Sequence, residues 1–424
     1  MKTIKIKTEE LVDTMQRAGY SIKDSIYLQV KTKKANEERN FAAITTCDGK
    51  TQSSVPFTCT CNVNEVVGLN LGKEFKEVVS TLASSGDEFV LDVYDTYVMV
   101  SCGTSQVPVS IKSEVACITV NKPNAETLVL TLHSEDFSRS IYTGGYAYTE
   151  SGKKAALTNV IALMPYKDGE DVTLRIMSLN ADGHVLAGSR CAVEQVQSTE
   201  AVENAINDKK VALLNGPFLM KLLKSVRYET LQLYITDNQA SIIDGHDCFV
   251  MTLRDSKSYP KQTFDALFGE VQKEFSFSVD KKQLKTAASV AILNAASDKA
   301  KTLIVCKFSN GKLCVSSYDG KNVTELVTKD AVGEVTFGFN IIYLKEFLDH
   351  SNESVTFYGI SNCEPIYGVG TEESVSMLLP VRVNLIEQEE EEETEETSKK
   401  TKKTEKTKKP EKKKEESKEE TEEE

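Results

Sequence analysis

The sequence predicts an α+β fold, with more sheet than helix, made of three repeats of one domain. Three observations predict it. A short alternating strand that runs into an amphipathic helix begins near Ile4, Leu130 and Phe277. A helix that leads into a strand follows later in each of these segments. The length of 424 residues also suits about three domains of roughly 100–200 residues each.

The first repeated unit is a strand with a helix directly behind it. Ile4 and Ile6 alternate with polar residues, which is the pattern of a half-buried strand. Thr8 and Ser134 are the predicted N-caps of the helices that follow, and Asp280 takes this role in the third repeat. The three helices are therefore predicted to start at nearly the same point behind their strands.

The second repeated unit is a helix, a short polar turn and a strand. Its copies cover residues 75–91, 218–233 and 342–357. The spacing between the copies is far longer than the roughly 20–50 residues of a solenoid repeat. A whole domain is therefore predicted to be repeated, and turns rich in Gly and Asp separate its remaining strands.

These units and the composition together predict three domains and a tail. Domain 1 covers residues 1–124, domain 2 residues 125–272 and domain 3 residues 273–386. Residues 387–424 consist almost entirely of Glu, Lys, Thr and Ser. Such a segment cannot bury enough apolar surface to offset the entropy of ordering it. We predict a disordered tail that solubilises the chain, or that becomes helical on binding.

The charge of the chain is negative but uneven. The formal net charge is −13, and the 17 Glu and 11 Lys of residues 387–424 account for −6 of it. The rest of the chain is only mildly acidic and can still present a basic surface on one side. The charge therefore weakens a nucleic-acid hypothesis without excluding it.

The sequence contains no catalytic constellation and no persuasive metal site. The ten Cys are scattered, and only Cys59 and Cys61 are close, so free thiols in a reducing compartment are favoured over a zinc or redox pair. The Asp-Gly-His segments at 182–184 and 244–246 are more typical of turns than of metal ligands. We predict no enzymatic activity, no cofactor and no metal.

The sequence also bears on cellular location. No stretch approaches the run of about 20 apolar residues that spans a bilayer. The first five residues alternate charged and apolar side chains and lack the core of a signal peptide. A cytoplasmic protein without a membrane partner is the prediction.

Two short motifs on this threefold repeat resemble one protein family. Residues 182–187 are Asp-Gly-His-Val-Leu-Ala, and residues 378–383, which close the folded part, are Leu-Leu-Pro-Val-Arg-Val. The bacterial sliding clamps, the beta subunits of DNA polymerase III, carry a similar Asp-Gly-His-x-Leu-Ala segment in their second domain and end near a Met/Leu-Pro-x-Arg motif. The resemblance covers residues 1–383. Each motif is weak alone, and their places on the repeat make the pair specific.

The resemblance implies a non-enzymatic DNA polymerase processivity factor. Two chains of three clamp domains would form a head-to-tail homodimer, a ring whose helices line a hole and whose sheets form the outer wall. Such a ring would hold double-stranded DNA by topology, without reading its sequence. The implied protein partners are a replicative DNA polymerase, a clamp loader and other proteins with a clamp-binding motif.

Two alternatives remain open at this point. One is a divergent or phage-type clamp paralogue that acts as a protein-binding scaffold without encircling DNA. The other is a hydrolase or transferase built on repeated α+β domains, which would need a polar constellation in a cleft.

The resemblance also implies three sets of site residues, each of which has an ordinary structural alternative as core or solvated surface. A partner-peptide groove between domains 2 and 3 would contain Leu157, Ala181, Gly183, His184, Leu186, Pro260, Met377, Leu378, Leu379, Pro380, Val381 and Arg382. The DNA-facing cations would be Lys73, Lys76, Arg139, Lys153, Lys154, Lys221, Lys224, Lys282 and Lys285. The dimer interface would contain Val107, Val109, Ile292 and Leu293.

The chain departs from the family in two places. Residues 34–40 lack the Pro-Ile-Leu-like segment that is usual near this point of the first domain. The charged tail continues well past the Pro-x-Arg motif, where most clamps stop. We hypothesise that the tail competes weakly with partner proteins, or excludes acidic ones.

Overall fold

The computed structural model describes residues 2–19, 25–31, 40–62, 66–112, 117–149, 158–293 and 301–381. The chain divides into two units, Met1–Arg382 and Val383–Glu424. The fold described below is that of the first unit. The predicted tail lies outside the described residues, and so does all of the unusual segment 34–40 except Asn40.

The described elements fall into three groups along the chain. The first repeat contains β1 (Lys2–Lys7), α1 (Thr8–Ala18), β2 (Ser25–Lys31), β3 (Asn40–Cys47), β4 (Thr51–Cys61), β5 (Val67–Leu71), α2 (Glu74–Leu82), β6 (Glu88–Val93), β7 (Tyr97–Cys102) and β8 (Ser105–Ser110). The second repeat contains β9 (Leu128–His133), α3 (Ser134–Gly144), β10 (Val160–Asp168), β11 (Asp171–Leu179), β12 (Val185–Ala192), β13 (Gln195–Val196), α4 (Thr199–Asn207), β14 (Ala212–Asn215), α5 (Gly216–Leu222), β15 (Thr230–Ile235), β16 (Gln239–Asp244), β17 (Asp247–Thr252) and α6 (Gln262–Phe268). The third repeat contains β18 (Phe275–Asp280), α7 (Lys281–Ala291), β19 (Leu303–Ser309), β20 (Lys312–Ser317), β21 (Thr324–Val327), β22 (Lys329–Val332), β23 (Val335–Asn340), α8 (Ile341–Asp349), β24 (Ser354–Gly359), β25 (Ile366–Thr371) and β26 (Ser374–Leu378).

Both predicted units occur in all three repeats. β1 leads into α1, β9 into α3 and β18 into α7, while α2, α5 and α8 lead into β6, β15 and β24. The first strand of each repeat pairs antiparallel with the strand of the second unit, β1 with β6, β9 with β15 and β18 with β24. The predicted α+β class and its threefold repeat are confirmed. The domain boundaries given above stay a prediction, because Met1–Arg382 forms one compact unit.

Two of the predicted helix caps are wrong. The extended backbone ends at Lys7 and His133, so these are the N-caps, and neither makes a side-chain capping bond. Thr8 and Ser134 are the first helical residues instead, and the Thr8 hydroxyl donates to the Gly86 carbonyl at 2.7 Å. Asp280 does cap α7, accepting from the Gln283 amide at 2.8 Å.

Sheets run continuously from one repeat into the next. The strands form sheets of 13, 9 and 4 strands, and the two larger sheets each join strands of neighbouring repeats. β4 of the first repeat pairs with β17 of the second, and β12 of the second pairs with β26 of the third. We call these contacts the first junction and the second junction.

The cores show how each repeat is held. One apolar cluster, which includes the fully buried Phe75 and Phe89, is built entirely from the first repeat. A second cluster belongs to the second repeat. The cluster of the third repeat also contains Tyr146, Ala147 and Val185, which come from the second repeat. The second junction is therefore closed by a shared core.

Candidate functional site

Main-chain bonds at the first junction follow the antiparallel ladder of β4 and β17. Val250 lies opposite Gln52, and the Thr252 amide donates to the Lys50 carbonyl at 2.8 Å. Amides along a strand point alternately to its two neighbours, so the Val250 amide faces β4 as the Thr252 amide does.

Charged side chains reinforce the first junction. Arg17 on α1 bonds Asp247 at the start of β17, and Arg227 bonds Asp13 on α1. Asp247 is only 4% exposed and Arg17 15% exposed, so the first of these pairs is largely withdrawn from water. Each bond joins residues of different repeats, and together they tie α1 to the second repeat.

The two carboxyl groups of this network respond differently to their surroundings. Burial raises the pKa of Asp13, but the bonds and charges of Arg227 and Arg17 outweigh burial and hold this pKa below its ordinary value. Burial of Asp247 raises its pKa, and the bond from Arg17 offsets only part of that effect. Asp244, which lies nearby, adds to the increase.

The second junction uses the same strand pairing with different side chains. Leu186 lies opposite Met377, and the Leu379 amide donates to the His184 carbonyl at 2.9 Å. The amides of Met377 and Leu379 therefore face β12, in the same alternation as at the first junction.

Aromatic rings close the second junction behind the strands. The His350 ring stacks on Tyr146 with centroids 4.6 Å apart, and Tyr142 lies 4.4 Å from the same ring. The Tyr146 hydroxyl and the Ser376 hydroxyl are hydrogen-bonded at 3.0 Å. Burial lowers the pKa of His350, opposed by the bond to the Glu346 carbonyl and the charge of Asp349.

The Asp-Gly-His segment forms a turn just before β12. The Asn180 side chain fixes it, because its Oδ1 accepts from the amides of His184 at 2.8 Å and Val185 at 3.0 Å. Gly183 has φ +71°, a left-handed conformation that favours glycine. Asp182 accepts a hydrogen bond from the Tyr343 hydroxyl at 2.8 Å, which links the turn to the third repeat.

Several predicted groove residues meet beside this turn. Leu186 and Met377 belong to a small apolar cluster with the buried Tyr259, which Pro260 follows in the chain. Leu378 is buried in the shared core, and Leu379 beside it is partly exposed. Main-chain bonds between Val381 and Gly338 hold the segment beyond Pro380 against the third repeat.

The structure thus brings most of the predicted groove residues that it describes to the two sides of the second junction, and Pro260 directly follows Tyr259 of the adjoining apolar cluster. Ala181, Gly183 and His184 form the turn, and residues 377–381 form the opposing strand and its extension. Leu157 and Arg382 lie outside the described residues. Peptide binding at this place stays a prediction.

The predicted DNA-facing cations that the structure describes lie on helices or at helix ends. Lys73 immediately precedes α2, Lys76 lies on it, Lys221 lies on α5 and Lys224 just beyond that helix. Lys282 is exposed on α7.

Two further predicted cations are paired with acids. Arg139 on α3 bonds Asp136 of the same helix, and Lys285 on α7 bonds Asp349. Their charges are therefore partly compensated. Lys153 and Lys154 lie outside the described residues.

The predicted interface residues lie at open sheet edges and at a helix end. Among the described strands, β8 pairs with β7 alone and β21 with β20 alone. Val109 is buried in the first core, and Val107 packs against it. Ile292 packs against the third core, whereas Leu293 just after α7 is 58% exposed.

Sequence reasoning missed the residues that join the repeats. Arg17 and Asp247 are 230 positions apart in the chain, and no local pattern links them. The same holds for Tyr146 and His350.

The described residues contain neither a cluster of metal ligands nor a helix that could span a membrane. In the ranges given above, no three His, Cys, Asp or Glu side chains lie where they could share a metal ion. None of the helices in these ranges is both long and apolar enough to cross a bilayer.

Comparison with solved structures identifies the fold. A DNA polymerase sliding clamp from Pseudomonas aeruginosa matches with a TM-score of 0.73 and 17% identity, over 90% of this chain and 100% of that one. The DNA polymerase III beta subunit of Thermotoga maritima matches with a TM-score of 0.73 and 13% identity, over 90% of this chain and 100% of that one. The sliding clamp of Bacillus subtilis matches with a TM-score of 0.73 and 16% identity, over 90% of this chain and 99% of that one.

The chain therefore has the fold of the bacterial sliding clamps, and the predicted resemblance is confirmed at the level of the fold. The sequence itself matches no protein-family model and no curated protein.

Proposed function

We propose that this chain is a sliding clamp, a non-enzymatic processivity factor of DNA replication. Two chains would close head to tail into a ring around duplex DNA, and the groove at the second junction would bind a replicative polymerase and other partners. Three domains with the boundaries given above would form each half of the ring. The matched structures are all sliding clamps, which supports this proposal. The arrangement of the open sheet edges is the main argument for it.

Among the strands that the structure describes, the two junctions within the chain leave a third pair of edges without a partner strand. β4 of the first repeat pairs with β17, the last strand of the second, and β12 pairs with β26, the last strand of the third. By the same rule β21 of the third repeat would pair with β8, the last strand of the first. A second chain can supply this contact, and two such contacts close a ring of two chains.

The repeat also predicts the register of this third junction. The last strand of each repeat has a core residue that fixes its alignment with the other two, and these residues are Val109, Met251 and Leu378. The equivalent positions two residues earlier are therefore Val107, Phe249 and Ser376. At the in-chain junctions these places lie opposite Ser53 and Ala187.

The matching place in the third repeat is found in the same way. Leu326 is a core residue opposite Leu313, as Phe57 is opposite Ala42. Counting back four positions from Phe57 and Leu326 gives Ser53 and Asn322.

Val107 is therefore predicted to lie opposite Asn322 of the partner chain. The Asn322 side chain donates to the Leu293 carbonyl at 2.6 Å, so the exposed Leu293 lies beside this position. Val107 of one chain would cover Leu293 of the other, which supports the interface predicted from the sequence.

Retention on circular DNA tests the whole proposal. The protein is loaded onto nicked plasmid with a bacterial clamp loader, the complex is isolated, and the plasmid is then linearised. We expect loss only after linearisation, and a Leu293→Asp variant should fail to load. Equal retention on circle and line would contradict encirclement and favour a scaffold that binds partners without a ring.

A peptide with the sequence Gln-Leu-x-Leu-Phe tests the groove separately. Its affinity should fall at least tenfold in Leu379→Asp, because a carboxylate would replace an apolar anchor point. Ile360→Asp is the matched control, since Ile360 is an exposed apolar residue of the same repeat outside the groove. Equal affinity in both variants would place the peptide elsewhere.

The charged tail is tested by deleting residues 387–424. If the tail competes with partners, peptide affinity should rise on deletion, most strongly at low salt. Unchanged affinity across salt concentrations would contradict competition.

A further inference from the structure

The proposed third junction differs from the two in-chain junctions at one residue of β8. The closing pair of the β7–β8 hairpin is Cys102 with Ser105, and the Ile111 amide donates to the Thr96 carbonyl at 2.9 Å. Amides at odd positions of β8 thus face β7, and those at even positions, 106, 108 and 110, face the open edge. Position 108 is Pro108, which has no amide hydrogen to donate.

The equivalent positions of the in-chain junctions do carry a donor. Val250 holds this place in β17 and Met377 in β26, each one residue before a core residue and each facing the neighbouring repeat. Val250 lies opposite Gln52 and Met377 opposite Leu186 in pairs where the ladder bonds form. By the register derived above, Pro108 would lie opposite Lys321 of the partner chain.

We infer that Pro108 removes one main-chain hydrogen bond from each ring-closing contact and so makes the contact between chains the weakest of the three junctions. This inference rests on the proposed ring. The pyrrolidine ring leaves the ladder to β7 intact, because that ladder uses the odd positions. The edge of the free chain is protected from unspecific pairing by the same residue.

The consequence is mechanical. A ring must open to take up DNA, and it opens where the fewest bonds have to break. The two in-chain junctions, with a full ladder, would stay closed while the contact at β8 opens.

Two variants test the inference by restoring or removing main-chain amide donors on the open edge of β8. Pro108→Val introduces the residue type found at position 250, and Gln106→Pro removes a second outward-facing amide. Neither change touches the ladder to β7. The dimer dissociation constant is measured by analytical ultracentrifugation over a dilution series, and subunit exchange is followed with two labels.

Each regained hydrogen bond should lower the dimer dissociation constant about fivefold. A ring has two such contacts, so the two factors multiply. We expect Pro108→Val to lower the dissociation constant roughly 30-fold and to slow subunit exchange. Gln106→Pro should shift both in the opposite direction. Hydrogen exchange of β7 serves as the fold control and should be unchanged in both variants.

The outcomes separate this inference from the proposed function. If the unmodified chain and Pro108→Val are both monomers at micromolar concentration, the ring proposal fails and the inference with it. If the chain is a dimer and Pro108→Val leaves its dissociation constant within twofold, the ring stands and the role of Pro108 is overturned. A dimer that tightens with Pro108→Val and loosens with Gln106→Pro supports both.

Discussion

The first junction is reinforced by charge and the second by packing, although the same strand pairing forms both. At the first junction Arg17 and Arg227 bond Asp247 and Asp13 across the contact, and each repeat keeps its own core. At the second junction Tyr146 enters the core of the third repeat. The two in-chain ladders are alike, so the side chains around them account for how these two junctions differ in strength and in pH dependence.

The largest effect is expected from removing the ring at the centre of the second junction. Tyr146→Ala should lower the free energy of unfolding by about 3–5 kcal/mol, because it leaves a cavity in a shared core. Chemical denaturation measures this loss, and hydrogen exchange should rise in β26 more than in β17. Tyr146→Phe is the control and should cost only about 1 kcal/mol, the bond to Ser376.

The corresponding change at the first junction should cost less. Asp247→Asn should lower the free energy of unfolding by about 1–3 kcal/mol, below the roughly 3–5 kcal/mol of a fully buried pair, because Arg17 keeps some contact with water. Asp237→Asn is the control, since Asp237 and Lys210 form an exposed pair worth about 0–1 kcal/mol. A larger loss for Asp247→Asn than for Tyr146→Ala would reverse the comparison.

The turn before β12 allows a more local test of the second junction. Gly183→Ala should lower the free energy of unfolding by roughly 1–2 kcal/mol, because the backbone of Gly183 is in a left-handed conformation. Gly169→Ala is the matched control, since Gly169 has φ +65° in a hairpin turn and both glycines have open space around them. Both should destabilise alike, and only Gly183→Ala should weaken peptide binding. Equal peptide affinity in the two variants would show that the turn at Gly183 does not contribute to peptide binding.

The smallest expected effect is a pH dependence confined to the second junction. The pKa of His350 is lowered in the fold, so its contribution is complete above the ordinary value of about 6.5 and is lost as pH falls through the folded value. Glu346, Asp349 and Lys281 also act on His350, so the difference from His350→Gln isolates its share. The free energy of opening of β26, obtained from hydrogen exchange corrected for the intrinsic exchange rate, should fall between about pH 6.5 and 5, and it should fall less in His350→Gln.

The first junction should not weaken in this pH range. The lowered pKa of Asp13 places its loss of stabilisation below pH 3.8, while the raised pKa of Asp247 acts in the opposite direction. Exchange in β17 that rises together with β26 at pH 5 would contradict the distinction.

The sequence predicts well what short-range patterns determine. Alternation and helical periodicity give the repeated units, and the Asp-Gly dipeptide gives the turn at Gly183. The caps at Thr8 and Ser134 are wrong by one residue, because the strand before each helix ends where pairing ends and not where a capping side chain stands.

The contacts that could not be predicted join residues that are far apart in the sequence. Leu186 and Met377 become neighbours only when β12 and β26 pair, and Arg17 meets Asp247 only across a junction. The resemblance to a family supplied the groove residues, whereas the network of the first junction had no such guide. Long-range pairing of side chains is set by the packed fold and leaves little trace in a single sequence.

The shared core of the second junction bears on the order in which the chain folds during synthesis. The core of the first repeat contains only its own residues, so it can form as soon as β8 has left the ribosome. Tyr146 and Val185, in contrast, lie in a core that includes Leu378. Pulse proteolysis of chains stalled at increasing length should therefore show early protection of the first repeat and late protection around Tyr146. Until β26 emerges, this apolar surface of the second repeat stays uncovered and is open to aggregation or to a chaperone.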